Sequence, residues 1–396
     1  MLHDVVISAD AHVGEPDAMR ARLPERYRDL LPRLESDVNG DFKVTLAGED
    51  LRNSTAESLG EIDLMKEFRT DPSQGTDIDR RLRDMALEGV DAAVMFPNIG
   101  LSLSGGRGPT AFHHAWARAW NDFVWDTFGP WQHRLKPVAM IAVDDIDEMM
   151  KEAERAIRLG FCTLFLPANV PWRPYRMPDY EPLWSLAEEA GIPLNFHVFS
   201  GNLALHADFV DLGAMDTDRF AAYSGVMERQ SDWPEMLNST VLGMAAGMAP
   251  IVELTGAGVL ENHPDLRIVV TEAECGWLAW VLHAMDQMQR QRHLGMKKLD
   301  LLPSEYFLRQ GAITITDDPV ALNNVKFTGS NILVWGNDYP HDEGSWPKSR
   351  PFINRIRAEL DPESAHRVLC ANAAELFGFD LDRLHKTRDE VMRHAA

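Results

Sequence analysis

Three apolar segments of the sequence each end in an imidazole or a carboxylate. The first ends in Asp10 and His12, the second in His197 and the third in Asp338. Positions i and i+2 of a strand face the same side, so Asp10 and His12 can act together on one ligand. Imidazole nitrogen and carboxylate oxygen are ordinary ligands of a borderline divalent ion. The pattern predicts one metal ion bound by these four side chains, with a coordination position left open for water.

Each of these residues, taken singly, also has an ordinary structural explanation. A histidine at a strand end is commonly a hydrogen-bonded core residue, and Asp338 could cap the helix that follows it. The pair of Asp10 and His12 is harder to explain in this way, because a buried carboxylate is costly unless it is paired or bound to a metal. Three strands that end alike favour the metal site.

The elements that must position these residues alternate along the chain. Eight short runs rich in Val, Ile, Leu and Phe predict strands buried on both faces. Amphipathic segments between them predict helices, including Ile78–Glu88, Ile146–Leu159 and Tyr180–Ala190. Alternation of this kind predicts an α/β fold, and we expect one (β/α)8 TIM barrel over residues 1–396. The predicted strands are Val5–His12, Val90–Pro97, Leu135–Val143, Cys162–Pro167, Pro193–Val198, Arg267–Glu272, Ala312–Thr316 and Ile332–Asp338.

Two connections are much longer than a simple loop between a strand and a helix. They span residues 13–77, after the first predicted strand, and 199–266, after the fifth. Both leave the carboxyl end of a strand, where barrel enzymes have their active sites, so we expect them to cap the pocket. Four apolar side chains of the second insertion suit a cap, although methionine-rich helices are more commonly plain core. These four are Trp233, Met236, Met244 and Met248.

The composition disfavours several classes of partner. With 39 basic and 61 acidic residues the formal net charge is −22, which argues against nucleic acid and anionic membranes. Three scattered cysteines form no disulfide framework and fit a reducing compartment. The N-terminus lacks the basic and apolar regions of a signal peptide, and the weakly polar stretch 241–260 contains Pro250 and Glu253. We expect a cytoplasmic protein that acts on a small, anionic molecule.

Several longer motifs point to a known family. The most specific covers residues 336–341 and contains Asp338-Tyr339-Pro340-His341, and the next covers residues 10–16. Further matching segments are 81–97, 193–197, 263–267 and 368–378. With these motifs the chain resembles, over nearly its whole length, the amidohydrolase-related family of the amidohydrolase superfamily. The similar branch contains aminocarboxymuconate-semialdehyde decarboxylase and the dihydroxybenzoate decarboxylases.

The resemblance implies a role for each strand-end residue. Asp10 and His12 match the family's first-strand ligands and His197 its fifth-strand ligand. Asp338 matches its eighth-strand carboxylate, which binds the metal, accepts a proton from the attacking water, or does both. Many relatives have His-x-His on the first strand, whereas this chain has Asp10, and a carboxylate there favours harder ions. We expect zinc, with manganese or iron as the alternatives.

Strand six departs from the decarboxylases that the chain resembles. Those proteins typically end this strand in a histidine followed by glycines, and the histidine serves as acid or base. Here Glu272 takes its place. A glutamate beside a metal and under an apolar lid can hold a raised pKa and carry a proton, so Glu272 is a candidate catalytic residue beside His197 and Asp338. Alternatively, Glu272 anchors a loop by accepting backbone N–H groups.

Two loops offer side chains for an anionic substrate. Arg173 follows the fourth predicted strand beside an aromatic residue, and Arg107 lies among glycines after the second. A guanidinium can bind a carboxylate through two hydrogen bonds, but each arginine could instead form a surface ion pair. Two aromatic residues follow strands that carry predicted catalytic residues, and one histidine follows Asp338 as a supporting group. The predicted substrate-binding residues are Arg173, Arg107, Trp172, Phe199, Trp277 and His341.

Three functions remain open from the sequence. The first is a metal-dependent hydrolase of a small carboxylate- or carbonyl-bearing molecule, in which Asp338 takes a proton from water and Glu272 returns it to the leaving group. The second is a non-oxidative decarboxylase of an aromatic or muconate-like acid. The third is a catalytically silent barrel that binds a ligand. By analogy with relatives we also expect a homodimer or higher homo-oligomer, for which the Gly, Ala and Met residues of 242–258 would suit a contact.

Overall fold

A computed structural model of the chain contains twelve strands within its described residues. The structure describes residues 5–31, 33–36, 42–46, 49–54, 73, 75–98, 100–101, 109–170, 172–201, 241, 243–291, 297–341 and 344–395. The strands are β1 (Ile7–Val13), β2 (Arg33–Ser36), β3 (Phe42–Leu46), β4 (Glu49–Ser54), β5 (Ala92–Pro97), β6 (Leu135–Pro137), β7 (Ala139–Met140), β8 (Leu164–Asn169), β9 (Leu194–Gly201), β10 (Ile268–Thr271), β11 (Gly311–Ile315) and β12 (Leu333–Trp335).

Two parallel sheets form the centre of this mixed α/β fold. One has the order β1-β5-β6 and the other the order β12-β11-β10-β9-β8-β7. The chain passes from one sheet to the other at Val138, since β6 ends at Pro137 and β7 begins at Ala139. On the other side, Ala11 of β1 forms a parallel bridge to Tyr339, just beyond β12. Neighbouring strands therefore follow one another along the chain, and their carboxyl ends lie together.

Helices alternate with the parallel strands. Those of the first half are α1 (Asp17–Arg20), α2 (Ile78–Glu88), α3 (Thr110–Phe128), α4 (Ile146–Leu159) and α5 (Glu181–Ala190). Those of the second half are α6 (Met248–Gly256), α7 (Val259–Asn262), α8 (Leu278–Gln291), α9 (Pro303–Gln310), α10 (Pro319–Thr328), α11 (Ser349–Glu359), α12 (Pro362–His366), α13 (Asn372–Phe377) and α14 (Leu381–Ala395). Within the described residues no helix is long and apolar enough to span a membrane.

Capping residues fix the ends of the helices that were expected from the sequence. Asp77 accepts a hydrogen bond from the backbone N–H of Arg80 at the start of α2, and Asp145 does the same at the start of α4. Both helices have their predicted bounds. The third begins at Glu181 instead of Tyr180, because Pro178–Tyr180 forms a separate 3-10 turn before it. Gly191 ends α5 in the left-handed conformation with φ of 65°.

Some predicted strands differ from those observed. The third, Leu135–Val143, is divided into β6 and β7. The eighth was predicted to reach Asp338, but β12 ends at Trp335. The cause is close packing at Gly336, where a Cβ atom would lie 2.5 Å from the Cβ of Asp10. Asp338 itself has a φ of 54°, outside the range of a strand. It therefore lies in a turn beyond the strand.

The two predicted insertions are only partly described. The first contains α1 and the antiparallel sheet β2-β3-β4, which the sequence did not predict. In the second, Met244 and Met248 are half-buried. Trp233 and Met236 lie outside the described residues.

Candidate metal centre

Buried acidic and imidazole groups converge where the parallel strands end. Asp10 and His12 belong to β1 and His197 to β9, whereas Glu272 directly follows β10 and Asp338 lies beyond β12. All five side chains are buried. The carboxyl ends of parallel strands are where enzymes of α/β folds bind substrates, so this convergence marks the candidate functional site.

Backbone contacts orient the two histidines. His12 Nδ1 lies 2.9 Å from the carbonyl oxygen of Pro97, and His197 Nδ1 lies 2.9 Å from that of Val198. Because a carbonyl oxygen only accepts, both Nδ1 atoms carry the hydrogen and donate it. In the neutral imidazole each Nε2 then presents a lone pair, and neither Nε2 makes a hydrogen bond within the described residues. This is the tautomer in which metal-binding histidines are commonly held.

The carboxylate oxygens face these nitrogen atoms. Asp10 Oδ1 lies 3.5 Å from His12 Nε2 and 3.4 Å from His197 Nε2. Asp338 Oδ1 lies 3.1 Å from His12 Nε2. Among the described residues, neither oxygen of Asp10 has a hydrogen-bond partner, nor does Oδ1 of Asp338. Buried polar atoms are normally satisfied, so acceptors gathered in this way fit a divalent cation.

Glu272 shares the centre. Its Oε2 lies 3.4 Å from His197 Nε2 and 3.9 Å from His12 Nε2. Its backbone N–H donates to Thr314 Oγ1 at 2.6 Å. Glu272 therefore approaches both histidines, whereas Asp338 approaches His12 from the turn beyond β12.

Ligand atoms within 4.8 Å of one another form two overlapping groups in the described part of the chain. One group is Asp10, His12, His197 and Glu272, and the other is His12, Glu272, Asp338 and His341. The predicted ligand set of Asp10, His12, His197 and Asp338 draws on both groups. Glu272 belongs to both, although the sequence suggested only an acid–base or anchoring role for it.

His341 supports the centre from its outer side. Its Nδ1 lies 3.0 Å from Asp338 Oδ1, and its Nε2 lies 3.0 Å from Asn98 Oδ1. Its ring stacks on His12 with centroids 3.9 Å apart. The side chain is 18% exposed, so His341 connects the buried carboxylate of Asp338 with the surface of the site.

The surplus of carboxylates makes the centre strongly attractive to a cation. Burial alone would lower the pKa of His12, but the neighbouring Asp10 and Asp338 raise it to about 10. Burial likewise raises the pKa of Asp10 and of Asp338, yet the adjacent histidines outweigh it and both pKa values are lowered. The two carboxylates are thus ionised near neutral pH, and a cation in the centre compensates their charge.

A second set of contacts fixes the segment that carries Asp338. Its backbone N–H donates to the carbonyl of Asp10 at 3.0 Å, and the N–H of His12 donates to the carbonyl of Tyr339 at 2.6 Å. The Tyr339 hydroxyl donates to Asp84 Oδ2 at 3.0 Å. The ring of Tyr339 packs under the guanidinium of Arg81. No role for Arg81 or Asp84 follows from the sequence, because both lie in an ordinary amphipathic helix.

The predicted substrate-binding residues have varied surroundings. Arg173 donates from Nη1 to the carbonyl oxygens of Val143 and Asp144, at 3.3 Å each. Trp172 is exposed, and Trp277 donates from Nε1 to the carbonyl of Ala273 at 2.8 Å. Arg107 lies outside the described residues.

Phe199 lies two residues beyond His197 and packs against a glycine of the second insertion. A Cβ atom built on Gly243 would lie 2.1 Å from Cε1 of the Phe199 ring. The ring is half-buried, and the residue has a φ of 56°. Phe199 thus connects β9 with Gly243 of the second insertion.

The chain is similar in sequence to one family of known proteins. The family model described as amidohydrolase matches residues 9–379. The chain belongs to the amidohydrolase family. The resemblance inferred from the motifs is thereby confirmed. No curated protein matches the chain.

Solved structures similar to this amidohydrolase cover it almost completely. An amidohydrolase from Mycobacterium avium subsp. paratuberculosis K-10 has a TM-score of 0.70 at 17% identity, with 96% of this chain and 100% of that one covered. For 5-carboxyvanillate decarboxylase from Sphingomonas paucimobilis the values are 0.63 and 19%, with 96% and 100% covered. For dihydroxybenzoic acid decarboxylase from Polaromonas sp. JS666 they are 0.60 and 14%, with 95% and 97% covered. At these identities the comparison establishes a shared fold.

Proposed function

We propose that this amidohydrolase is a metal-dependent decarboxylase that removes carbon dioxide, without oxidation, from a small aromatic or muconate-like acid. The observation that carries the proposal is the buried centre of Asp10, His12, His197, Glu272 and Asp338 in a fold shared with decarboxylases. The Polaromonas structure contains manganese and the inhibitor 2-nitroresorcinol. Decarboxylation thus replaces hydrolysis as the leading hypothesis.

A divalent ion would be held by Asp10, His12, His197 and Asp338. The orphaned oxygens of the two aspartates and the free Nε2 atoms of the two histidines support this assignment. When bound, the ion neutralises a substrate carboxylate or phenolate and polarises its oxygens. Manganese is supported by the decarboxylase structure that contains it, and zinc remains the sequence-based candidate.

Loss of carbon dioxide requires a proton donor near the reacting carbon. The bond from that carbon to the carboxylate breaks, its electron pair stays on the carbon, and a proton from an acid takes the vacated position. Two groups of the centre are suited to supply the proton: Glu272, and the pair formed by Asp338 and His341. His341 is partly exposed, which lets the pair recover a proton from solvent.

Hydrolysis is the second candidate, and one observation favours it. Asp338 Oδ1 has no hydrogen-bond partner and lies 3.1 Å from His12 Nε2, so it is suited to accept a proton from water. Glu272 would then return the proton to the leaving group. A catalytically silent barrel is the third candidate, and the buried oxygens of Asp10 and Asp338 that lack a hydrogen bond within the described residues argue against it.

We also propose a complete fold and an assembly for this protein. The two parallel sheets close into a single-domain (β/α)8 barrel capped by the two insertions, and the protein is a cytoplasmic homo-oligomer. The substrate would be bound by residues of the surrounding loops. These are Arg173, Arg107, Trp172, Phe199, Trp277 and His341.

Product analysis tests the reaction. Protein loaded with Mn²⁺ is incubated with a panel of hydroxylated aromatic and unsaturated acids, including 5-carboxyvanillate and 2,6-dihydroxybenzoate, and products are followed by mass spectrometry. Decarboxylation releases carbon dioxide and a product lighter by that mass. In a second panel, hydrolysis instead adds water and yields two fragments from an ester or an amide, or one ring-opened hydroxy acid from a lactone. Turnover of the second panel alone would overturn the proposal in favour of hydrolysis.

A further inference from the structure

Glu272 Oε2 lies from His197 Nε2 at the separation expected between two ligands of one metal ion. Four ligands at about 2.0–2.2 Å from a tetrahedral ion lie about 3.3–3.6 Å from one another. Glu272 Oε2 lies 3.4 Å from His197 Nε2, and Asp10 Oδ1 lies 3.4 and 3.5 Å from His197 and His12. The fourth separation, from Glu272 to His12, is 3.9 Å. The spacing of Glu272 to His197 therefore matches that of Asp10, an expected ligand, whereas its spacing to His12 is longer.

The local backbone directs this side chain toward the centre. Thr271, the last residue of β10, pairs with His197 on the neighbouring strand. Glu272 then adopts a φ of 60°, a conformation that costs free energy for a residue other than glycine. Its N–H is bound to Thr314 of β11. A strained conformation held by a neighbouring strand is characteristic of residues with a functional task.

A nearby glutamate takes the anchoring role that was the alternative for Glu272. Glu274 accepts hydrogen bonds from the backbone N–H groups of Thr316 and Asp317, at 3.2 Å each. It also has a positive φ, of 48°. The two glutamates thus differ in direction: Glu274 binds the loop after β11, whereas Glu272 faces the histidines.

We infer that Glu272 is a ligand of the metal ion and not the proton donor. The inference rests on the proposed function only in that a metal is bound. It assigns the proton to the pair of Asp338 and His341. It also gives the centre a third carboxylate, beside Asp10 and Asp338, and oxygen-rich sites favour harder ions. The ratio of the affinity for Mn²⁺ to the affinity for Zn²⁺ should accordingly be higher than in a site with fewer carboxylates.

Metal binding by the purified, metal-depleted protein tests this inference without reference to turnover. The dissociation constants for Mn²⁺ and Zn²⁺ are measured by isothermal titration calorimetry for the wild type and for Glu272→Gln. A lost ligand should weaken Mn²⁺ binding at least about tenfold, since even supporting residues around metal sites are worth 10–100-fold. The matched control is Glu274→Gln, which removes an equivalent glutamate two positions away and should leave metal binding unchanged.

A ligand exchange keeps the test decisive if Glu272→Gln folds poorly. Glu272→His restores a ligand of a softer type, so it should bind metal and shift the preference from Mn²⁺ toward Zn²⁺. The absorption spectrum of the Co²⁺-loaded variant should differ from that of the wild type. Wild-type affinity and spectrum in both variants would overturn the inference and return Glu272 to proton transfer. A wild type that binds neither ion would overturn the proposed function as well.

Discussion

Arg81 donates a hydrogen bond from Nη2 to the carbonyl oxygen of His12 at 2.5 Å. The arginine is 1% exposed, and its Nε also donates to the carbonyl of Gly75 at 3.0 Å. Its guanidinium lies 4.8 Å above the ring of Tyr339. One side chain of α2 thus contacts two of the three backbone segments that carry predicted ligands, β1 and the turn beyond β12.

Replacing Arg81 should therefore weaken the whole protein. Arg81→Met leaves two buried carbonyl oxygens without their donor, and each such loss costs about 1–3 kcal/mol. We expect the free energy of unfolding to fall by about 2–4 kcal/mol, measured by urea denaturation. Arg83→Met is the control, because the Arg83 side chain is 55% exposed, and its effect should stay within about 0.5 kcal/mol. Equal losses in the two variants would contradict a special role for Arg81.

Removal of His197 should abolish metal binding. Its Nε2 lies close to carboxylate oxygens of both Asp10 and Glu272. His197→Ala therefore removes a predicted ligand that adjoins two others of the candidate centre. We expect about one equivalent of metal in the wild type and almost none in the variant, measured by elemental analysis after dialysis. His283→Ala on the exposed side of α8 should retain the metal. A fully loaded and active His197→Ala protein would disprove the proposed centre.

His341 should affect turnover more than metal binding. Its ring stacks on His12 and its Nδ1 lies close to Asp338 Oδ1, but His341 is not one of the four predicted ligands. If the pair of Asp338 and His341 supplies the proton, His341→Ala should lower kcat by about 10²–10⁴-fold. The Mn²⁺ dissociation constant should change little in comparison. A variant that loses the metal and its activity together would identify His341 as a ligand.

The metal-free protein should lose stability as the pH rises. The pKa of His12 is raised from 6.5 to about 10 by Asp10 and Asp338, against the effect of burial. The protonated histidine therefore stabilises the fold fully below its unfolded pKa and progressively less as the pH approaches 10. Urea denaturation of the metal-free protein across this range should show the decline. His12→Gln should show a flatter profile, and an unchanged slope would contradict the assignment.

Metal affinity should change in the opposite direction with pH. The same proton on His12 competes with the metal for Nε2, so binding must release it. The apparent affinity for Mn²⁺ should rise with pH over the range in which the metal-free protein weakens. Calorimetry in buffers of different ionisation enthalpy measures the protons released on binding. Binding without proton release would show that His12 is already neutral in the free protein.

The strand-end residues could be predicted because their positions follow from local rules. Asp10 and His12 are two residues apart in a buried strand, and His197 lies near the end of a second such strand. The face of the strand and the end of the strand on which these residues lie were therefore both expected. The strand that was predicted to reach Asp338 stops at Trp335 instead. The close contact there is between Gly336 and Asp10, two residues that are far apart in the sequence. Short-range patterns do not contain that contact.

Two other features could not be predicted for a similar reason. Arg81 lies among other charged residues of α2, and only the packed structure separates it, fully buried, from its exposed neighbour Arg83. The antiparallel sheet β2-β3-β4 is a different case, because Phe42–Leu46 of β3 alternates apolar and polar residues, a pattern that indicates a strand and was overlooked. The roles of Glu272 and Glu274 were likewise indistinguishable in sequence, since their difference lies in the direction of two side chains.

The bridge between Ala11 and Tyr339 joins two segments that are far apart in the sequence at the candidate metal centre. A chain emerging from the ribosome delivers Asp10 and His12 first and Asp338 only after more than three hundred further residues. The complete donor set therefore does not exist until Asp338 has been synthesised. An ion that binds only the assembled set would stabilise chains that contain both segments and not shorter ones.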